Sequence, residues 1–150
     1  MKEEQREKMT LTMESRSRNE AFARAVVAAF VARLDPTMEE LEDIRTAVSE
    51  AVTNAVVHGY RDSEGEIRLS AEIEGNALKL EIQDWGVGIA DVEKAMEPLF
   101  TTCPEGERSG MGFSFMEAFM DNLTVHSAPG EGTTVYMEKK IGLGDGNGNG

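Results

Sequence analysis

The segment "TAVSEAVTNAVVHGY", residues 46–60, has an unusual distribution of charge. From Thr46 to His58 it carries a single formal charge, on Glu50, and Asn54 follows that glutamate by about one helical turn. A helix on the surface of a globular protein normally has charged residues along its outer face. We therefore expect a ligand or a loop to cover the face on which Glu50 and Asn54 lie.

This segment is the second half of a long predicted helix. Thr37 and Glu40 form the S/T-x-x-E pattern of a capping box, which predicts that the helix begins there. It should run to His58, with Gly59 as a C-terminal glycine cap. Helical spacing gives it an apolar stripe that should face the core, and Glu50 points nearly opposite to that stripe. The stripe consists of Leu41, Ile44, Val48, Val52 and Ala55.

The residues before this helix predict one strand and one further helix. Met9, Leu11 and Met13 alternate with polar residues, as in a half-buried strand. Asn19 is a suitable N-cap for a helix that runs to about Leu34. Apolar residues recur every four positions along that helix and should face the core. They are Phe22, Val26, Phe30 and Leu34.

The residues after the long helix predict antiparallel strands and more helix. Alternation predicts strands in "EIRLSAEIE" (66–74) and "ALKLEIQD" (77–84), joined by a two-residue Gly-Asn turn. A short helix near 92–96 and an irregular stretch, 97–109, precede "GMGFSFMEAFM", a helix that begins with glycines. "LTVHS" and "TTVYMEKK" form a last hairpin. This order predicts the α+β class: a two-layer α/β sandwich with helices on one face of a mixed, mainly antiparallel sheet.

Length and composition predict one domain. The 150 residues are 40% hydrophobic and 29% charged, an ordinary globular balance. We expect a flexible N-terminus at 1–8, a domain at 9–141 and a disordered Gly/Asn tail at 142–150. The charged start and the lack of an apolar run of ~20 residues predict a cytoplasmic protein that does not enter membranes. A net charge of −13 argues against direct nucleic-acid binding, and one cysteine with two histidines cannot form a clustered zinc site.

Two glycine-containing segments are candidate sites for a phosphorylated ligand. In "QDWGVGIA", Asp84 ends a strand and two glycines follow, which permit positive φ and close backbone approach. In "ERSGMGFSF", Gly110 and Gly112 open a helix whose free N–H groups could bind an anion, with Arg108 and Ser109 just before them. Neither segment completes a Rossmann or P-loop motif. A capped hairpin exit and a plain glycine-rich loop remain the ordinary interpretations.

A third segment, "GEGTTVY", combines a glycine turn with the start of a strand. Gly130 and Gly132 make the turn, and Thr133 begins the strand. Taken alone, these residues indicate a simple hairpin more strongly than a binding site.

Together, the four segments resemble the nucleotide-binding fold of the GHKL superfamily, which includes gyrase and the histidine kinases. "SEAVTNAVVHG" is similar to its N-box, "DWGVG" to its first glycine box, "RSGMGF" to its second and "GTT" to its last adenine-side element. A closer resemblance is to the anti-sigma F factors of spore-forming bacteria, and it covers most of residues 9–140. "ARLDPTMEELEDIRTAVSEAVTNAVVHGY", "EPLFTT" and "ERSGMGFSFMEAFMD" carry it.

The resemblance implies a protein serine kinase that is also a transcription regulator. Such a protein binds ATP or ADP with Mg2+, sequesters a sporulation sigma factor as a homodimer, and phosphorylates a serine of an anti-anti-sigma protein. Three alternatives stay open: a nucleotide-dependent sigma-binding module without kinase activity, a regulator of a general-stress sigma factor, and the catalytic domain of a histidine kinase. The last is disfavoured because no phosphoacceptor helix pair is predicted.

The resemblance also implies roles for individual residues. Glu50 would be the general base toward the partner's serine, and Asn54 would ligate Mg2+. Asp84 would accept a hydrogen bond from the adenine amino group, with Thr133 nearby through water. Arg24, which lies off the apolar stripe of the first helix and should be exposed, would contact protein partners. The backbone would approach the base at Gly86 and Gly88. The lid and phosphate cradle would comprise Thr101, Thr102, Arg108, Ser109, Gly110 and Gly112.

Overall fold

The computed structural model describes residues 6–60, 63–96 and 107–142, with side chains for all of these except Lys94 and 107–111. A 3-10 turn, Ala32–Leu34, extends the first helix, and a π-helical turn, Asn54–Gly59, extends the second. The elements in chain order are β1 (Arg6–Glu14), α1 (Asn19–Val31), α2 (Met38–Thr53), β2 (Glu66–Glu74), β3 (Ala77–Asp84), α3 (Val92–Ala95), α4 (Glu107–Phe119), β4 (Asn122–Ser127) and β5 (Thr133–Lys140).

The strands form one five-stranded sheet in the order β1-β2-β3-β5-β4. Each neighbouring pair of these strands is antiparallel. The predicted two-layer α+β sandwich is confirmed, and the pairing in the described part of the chain is antiparallel throughout, where the prediction allowed a mixed sheet. β1 begins at Arg6, inside the segment predicted to be a flexible terminus.

The core lies between the inner face of the sheet and the helices. Alternation along the strands places apolar side chains on that face because successive residues of a strand point to opposite sides. Those of β2 and β3 are almost fully buried, and they are Ile67, Leu69, Ala71, Ile73, Leu78, Leu80 and Ile82. The last inward position of β3 is Asp84, so a carboxyl group ends an otherwise apolar row.

The start of α2 and its core face agree with the sequence. The Thr37 hydroxyl accepts the Glu40 N–H at 3.0 Å, and the Glu40 carboxylate accepts the Thr37 N–H at 2.9 Å. This reciprocal capping box satisfies two N–H groups at the helix end. Four of the five predicted stripe residues are buried, Ile44, Val48, Val52 and Ala55, and Leu41 packs against them half-buried.

The predicted glycine cap at Gly59 is wrong. Gly59 ends the π-helical turn and is not among the glycines with positive φ. Its lack of a side chain serves packing, because a Cβ there would lie 3.0 Å from the carboxyl atoms of Asp84. The Gly59 carbonyl also accepts the Val87 N–H at 2.8 Å. The glycine lets the end of this helix pass directly beneath the end of β3.

For α1, the predicted N-cap is wrong and the predicted apolar stripe is only partly right, since Phe30 is buried and Leu34 packs half-buried against the core. Arg18 occupies the N-cap position, and the Asn19 side chain donates to the Glu14 carbonyl at 2.7 Å. The buried residues are Ala23, Val27, Phe30 and Val31, whereas Phe22 is 51% exposed. A set of residues spaced every four positions drifts around a helix of ~3.6 residues per turn. The buried set follows that helical period, and the predicted stripe did not.

The second glycine segment begins its helix earlier than predicted. α4 starts at Glu107, so Gly110 and Gly112 lie within its first two turns. Helix α4 packs against α2, which brings this segment to the wall formed by residues 46–60. The rest of the predicted irregular stretch, 97–106, lies outside the described residues, as do 1–5 and the tail 143–150.

Candidate functional site

Asp84 is a buried carboxyl group at the inner end of β3. Its side chain is 3% exposed, and its Oδ1 accepts the Gly86 N–H at 2.8 Å. Burial raises the pKa of Asp84 above its ordinary value of 3.8, and hydrogen bonds from the backbone of Gly86 and Thr133 partly oppose that rise. A carboxylate that burial destabilises is costly for the fold, so it indicates a functional site.

The backbone around Asp84 is packed too closely for side chains. A Cβ on Gly86 would lie 2.0 Å from the Gly59 carbonyl oxygen, and a Cβ on Gly132 would lie 2.2 Å from the Asp84 carbonyl oxygen. Gly132 also has φ of 77°, which favours glycine. Backbone from three different segments therefore surrounds one carboxyl group.

The first glycine segment is tied to the β4–β5 turn. Gly88 has φ of 81°, and a Cβ on it would lie 1.9 Å from the Ala128 carbonyl oxygen. The Gly130 N–H donates to the Val87 carbonyl at 2.7 Å. Gly88, one of the glycines predicted to allow close backbone approach, does allow it here. The two segments that approach each other are the loop after β3 and the β4–β5 turn.

Ser127 belongs to the site and was missed from the sequence. Its Oγ accepts the Ile89 N–H at 2.7 Å, donates to the Gly132 carbonyl at 2.8 Å, and lies 2.8 Å from the Thr133 hydroxyl. It lies directly opposite Thr133 in the β4–β5 pair. The predicted hairpin of "LTVHS" and "TTVYMEKK" could have revealed it, because antiparallel pairing of these two strands sets Ser127 and Thr133 side by side.

Tyr60 is a second residue of the site that was not predicted from the sequence. Its hydroxyl donates to the Glu66 carbonyl at 2.6 Å and accepts the Trp85 N–H at 2.8 Å. A Cβ on Gly65 would lie 2.3 Å from the tyrosine ring. Tyr60 thus holds the backbone just after Asp84. The aromatic ring of Tyr60 and the nearby Gly65 can be seen in the sequence, but the hydrogen bond between Tyr60 and Trp85 depends on strand register.

Glu50 and Asn54 lie on the helix whose last turn meets Asp84 at Gly59. Both side chains are half-buried; Glu50 lies on α2, and Asn54 is the first residue of the π-helical turn. A Cβ on Gly112 would lie 3.4 Å from Glu50 Oε1. Helix α4 therefore covers part of the helix face that carries Glu50, which the sequence predicted to be covered. Gly112 is the residue of α4 that lies next to the Glu50 carboxylate.

The residues present fit a magnesium ion held mainly by a ligand's phosphates. Within the described ranges, no three His, Cys, Asp or Glu side chains are grouped so that they could hold a metal. Mg2+ bound to phosphates needs only one or two protein oxygens and keeps several waters. The amide oxygen of Asn54 is a suitable single protein ligand of this kind.

The structure does not test four of the predicted site residues, and it corrects the prediction for a fifth. Thr101 and Thr102 lie outside the described residues, and the side chains of Arg108 and Ser109 are not described. Arg24 is on α1, half-buried and not exposed as predicted; its Nε is buried and has no hydrogen-bond partner among the described residues. Because the buried face of α1 includes Ala23, Arg24 borders the core.

None of the helices in the described ranges has the length and apolarity to cross a membrane. This finding agrees with the absence of a long apolar run in the sequence.

Comparison with known families gives one match that spans the site. Residues 13–139 match the family described as "Histidine kinase-like ATPase domain". The matched range includes Glu50, Asn54, Asp84 and Thr133, so the family's nucleotide-binding domain occupies most of this chain.

Curated relatives are similar over nearly their whole length. The anti-sigma F factor of Thermoanaerobacter sp. (strain X514) is 59% identical over 134 residues, which are 89% of this chain and 94% of that protein. The anti-sigma F factor of Pasteuria penetrans is 59% identical over 138 residues, 91% of this chain and 92% of that protein. That of Clostridium acetobutylicum is 53% identical over 136 residues, 91% and 95% of the two chains.

Solved structures agree on the fold. The RsbU and RsbW domains of a Mycobacterium tuberculosis protein match with a TM-score of 0.63 at 21% identity, over 90% of this chain but only 32% of that one. The histidine kinase domain of a blue-light-activated kinase from Erythrobacter litoralis matches with a TM-score of 0.54 at 19% identity, over 83% of this chain and 61% of that one. At these identities the likeness concerns the fold alone.

Proposed function

The chain belongs to the histidine kinase-like ATPase family and, within it, to the anti-sigma F factors, and we propose that it is an ATP-dependent anti-sigma factor with serine kinase activity. It would sequester a sporulation sigma factor and phosphorylate a serine of its anti-anti-sigma partner. The position of Glu50 is the observation that supports kinase activity. Glu50 is half-buried on α2, and Gly112 of α4 leaves space beside its carboxylate.

Asp84 is the proposed anchor for the adenine base of ATP or ADP. A buried carboxylate beside backbone-lined space can accept hydrogen bonds from the exocyclic amino group of adenine. Thr133 lies directly across the strand pair from it and would take part through water. Gly86 and Gly88 let this segment pack against the backbone of Gly59 and Ala128, and the resemblance implies that the base would approach the backbone in this segment.

Glu50 and Asn54 are the proposed chemical groups at the phosphate end. Asn54 would hold Mg2+, which supplies neutralisation of the phosphate charge when bound. Glu50 would accept the proton of the partner's serine hydroxyl while the serine oxygen bonds to the γ-phosphorus and the bond to the ADP oxygen breaks. The lid and cradle residues predicted by resemblance would close the phosphate end, and they are Thr101, Thr102, Arg108, Ser109, Gly110 and Gly112.

Protein partners would bind away from the nucleotide. Arg24 is the proposed contact residue, as the resemblance implies, and its half-buried side chain leaves part of its surface accessible to a partner. The proposed assembly is a homodimer, and the proposed place of action is the cytoplasm, without direct contact with nucleic acid or membrane. The excess of acidic residues, 28 against 15 basic ones, supports the absence of nucleic-acid contact.

The main alternative is a nucleotide-dependent sigma-binding module without kinase activity. It would need the same adenine site but no base, and Glu50 would then be only part of the wall. The carboxylate in an otherwise charge-free helix segment favours the kinase. A regulator of a general-stress sigma factor would use the same chemistry on a different partner.

Transfer of labelled phosphate tests the proposal directly. The purified chain is incubated with [γ-32P]ATP, Mg2+ and the anti-anti-sigma protein of the same genome, in wild-type form and with its phosphoacceptor serine changed to alanine. The proposal predicts label on the wild-type partner alone. A sigma pull-down with ATP or ADP is run in parallel. Sigma binding without labelling would support the module, and failure of both would refute the anti-sigma function.

A further inference from the structure

Three polar side chains form a row across the inner face of the sheet. Asp84 on β3 pairs in register with Thr133 on β5, which pairs in register with Ser127 on β4. Asp84 is 3% exposed and Thr133 is 4% exposed. Residues directly opposite each other on one face of an antiparallel pair have Cβ atoms about 5 Å apart. Asp84 and Thr133, which are proposed to bind the adenine base, therefore lie in one row with Ser127 on the next strand.

The hydrogen bonds of Ser127 determine where its single proton lies. The Ser127 Oγ accepts the Ile89 N–H at 2.7 Å. The Gly132 carbonyl, 2.8 Å away, can only accept, so it takes the Ser127 proton. The 2.8 Å contact between the Ser127 and Thr133 hydroxyls must then use the proton of Thr133. Thr133 Oγ1 can then accept hydrogen bonds, but it has no proton to donate to any other group.

In this arrangement, both side chains proposed to contact the base, Asp84 and Thr133, are hydrogen-bond acceptors. The Asp84 carboxylate accepts only, and Thr133 accepts only once its proton is given to Ser127. A water that bridged the two would give one proton to each and could then only accept from a ligand. We propose that Ser127 is a positioning residue that fixes Thr133 as an acceptor and thereby selects a 6-amino purine over a 6-oxo purine. The inference rests on the proposed nucleotide site.

The test compares ADP with inosine diphosphate, which carries a carbonyl where adenine carries the amino group. In Ser127→Ala, the Thr133 hydroxyl is free to rotate and can donate to that carbonyl. Calorimetry on the full chain should show the ratio of ADP to inosine diphosphate affinity falling roughly three- to tenfold, the worth of one net hydrogen bond. A merely structural role of Ser127 would weaken both nucleotides together and leave the ratio unchanged.

Two variants control for the route through Thr133. Ser127→Thr keeps a hydroxyl on a strand and should keep the wild-type ratio. Thr133→Val removes the group through which Ser127 acts, so adding Ser127→Ala to it should not change the ratio further. If Ser127→Ala fails to fold, the nearly isosteric Ser127→Cys, a weak donor, should show the same fall to a smaller extent.

Two results would overturn the inference: an unchanged ratio in a folded Ser127→Ala or Ser127→Cys protein, or an equal fall in the Thr133→Val background. A wild-type chain that binds neither nucleotide would instead refute the nucleotide site, which separates the two failures.

Discussion

Substitution of Gly112 by alanine should stabilise the protein and slow phosphate transfer. The added Cβ would lie 3.4 Å from Glu50 Oε1, which is ordinary van der Waals contact and requires no repacking. Alanine is more favourable than glycine inside a helix by about 0.5–1 kcal/mol. For a domain of this size, 1 kcal/mol corresponds to about 2–4 °C in Tm.

The same methyl group should obstruct the base. A serine hydroxyl must come within about 2.6–3.2 Å of a carboxylate oxygen to give up its proton, and the methyl carbon would occupy one approach to Oε1. A positioned base contributes typically ~10²–10⁴-fold to the rate, which is the upper limit of the expected loss. The backbone N–H of residue 112 is retained, so ADP affinity should change little.

The assay pairs unfolding with kinetics. Urea denaturation gives the free energy of unfolding, and initial rates of labelled phosphate transfer give the activity, both for wild type and Gly112→Ala. Ser114→Ala on the same helix is the matched control, since it removes a buried hydroxyl that has no partner in the described part of the chain and should stabilise α4 without slowing transfer. A stabilised Gly112→Ala protein with wild-type transfer would refute the reasoning that the acceptor serine approaches Glu50 from this side.

Four further predictions concern the adenine end and the partner surface. Asp84→Asn should weaken ADP binding roughly ten- to hundredfold, because its amide would oppose the adenine amino group; unchanged affinity by calorimetry in a folded variant would remove Asp84 from the pocket. With the pKa of Asp84 raised by burial, its contribution to stability is complete below pH 3.8 and is lost as pH rises through the raised pKa, while ADP affinity should increase over the same interval; a flat ADP titration, with Asp84→Asn as reference for the titration of ADP itself, would contradict this. Arg24→Ala should weaken binding of the sigma and anti-anti-sigma proteins and spare ADP affinity; pull-downs in which both partners bind as before would place the docking surface elsewhere. Gly86→Ala should destabilise the fold in thermal melts, because its Cβ would lie 2.0 Å from the Gly59 carbonyl oxygen.

Local signals in the sequence predicted most of the fold. The capping box at Thr37 and Glu40 and the alternation in β2 and β3 depend on residues close together in the chain, and the structure confirms them. The first two turns of α1 were predicted one residue off, with Ala23 and Val27 buried in place of Phe22 and Val26, because contacts with α2 and the sheet, and not a four-residue spacing, decide which side is buried.

The candidate site was predictable where a residue type has one plausible use. A carboxylate at a strand end followed by two glycines indicated Asp84, Gly86 and Gly88, although the reason for Gly59 was misread. Ser127 and Tyr60 were missed because each acts through hydrogen bonds to backbone far away in sequence, and such bonds depend on register. Register depends on turn geometry as well as on the hydrophobic pattern, and no register was predicted for the β4–β5 hairpin.

The most direct test of the central claim is the rate of phosphate transfer by Glu50→Gln, measured together with ATP affinity. Glutamine keeps the size and polarity of the side chain but cannot accept the serine proton. The account predicts a fall of ~10²–10⁴-fold in transfer with ATP, Mg2+ and sigma binding retained, whereas Asn54→Ala should lose metal-dependent ATP affinity as well as activity. Near-wild-type transfer by a folded Glu50→Gln protein would contradict the account, since the carboxylate would then be only part of the pocket wall.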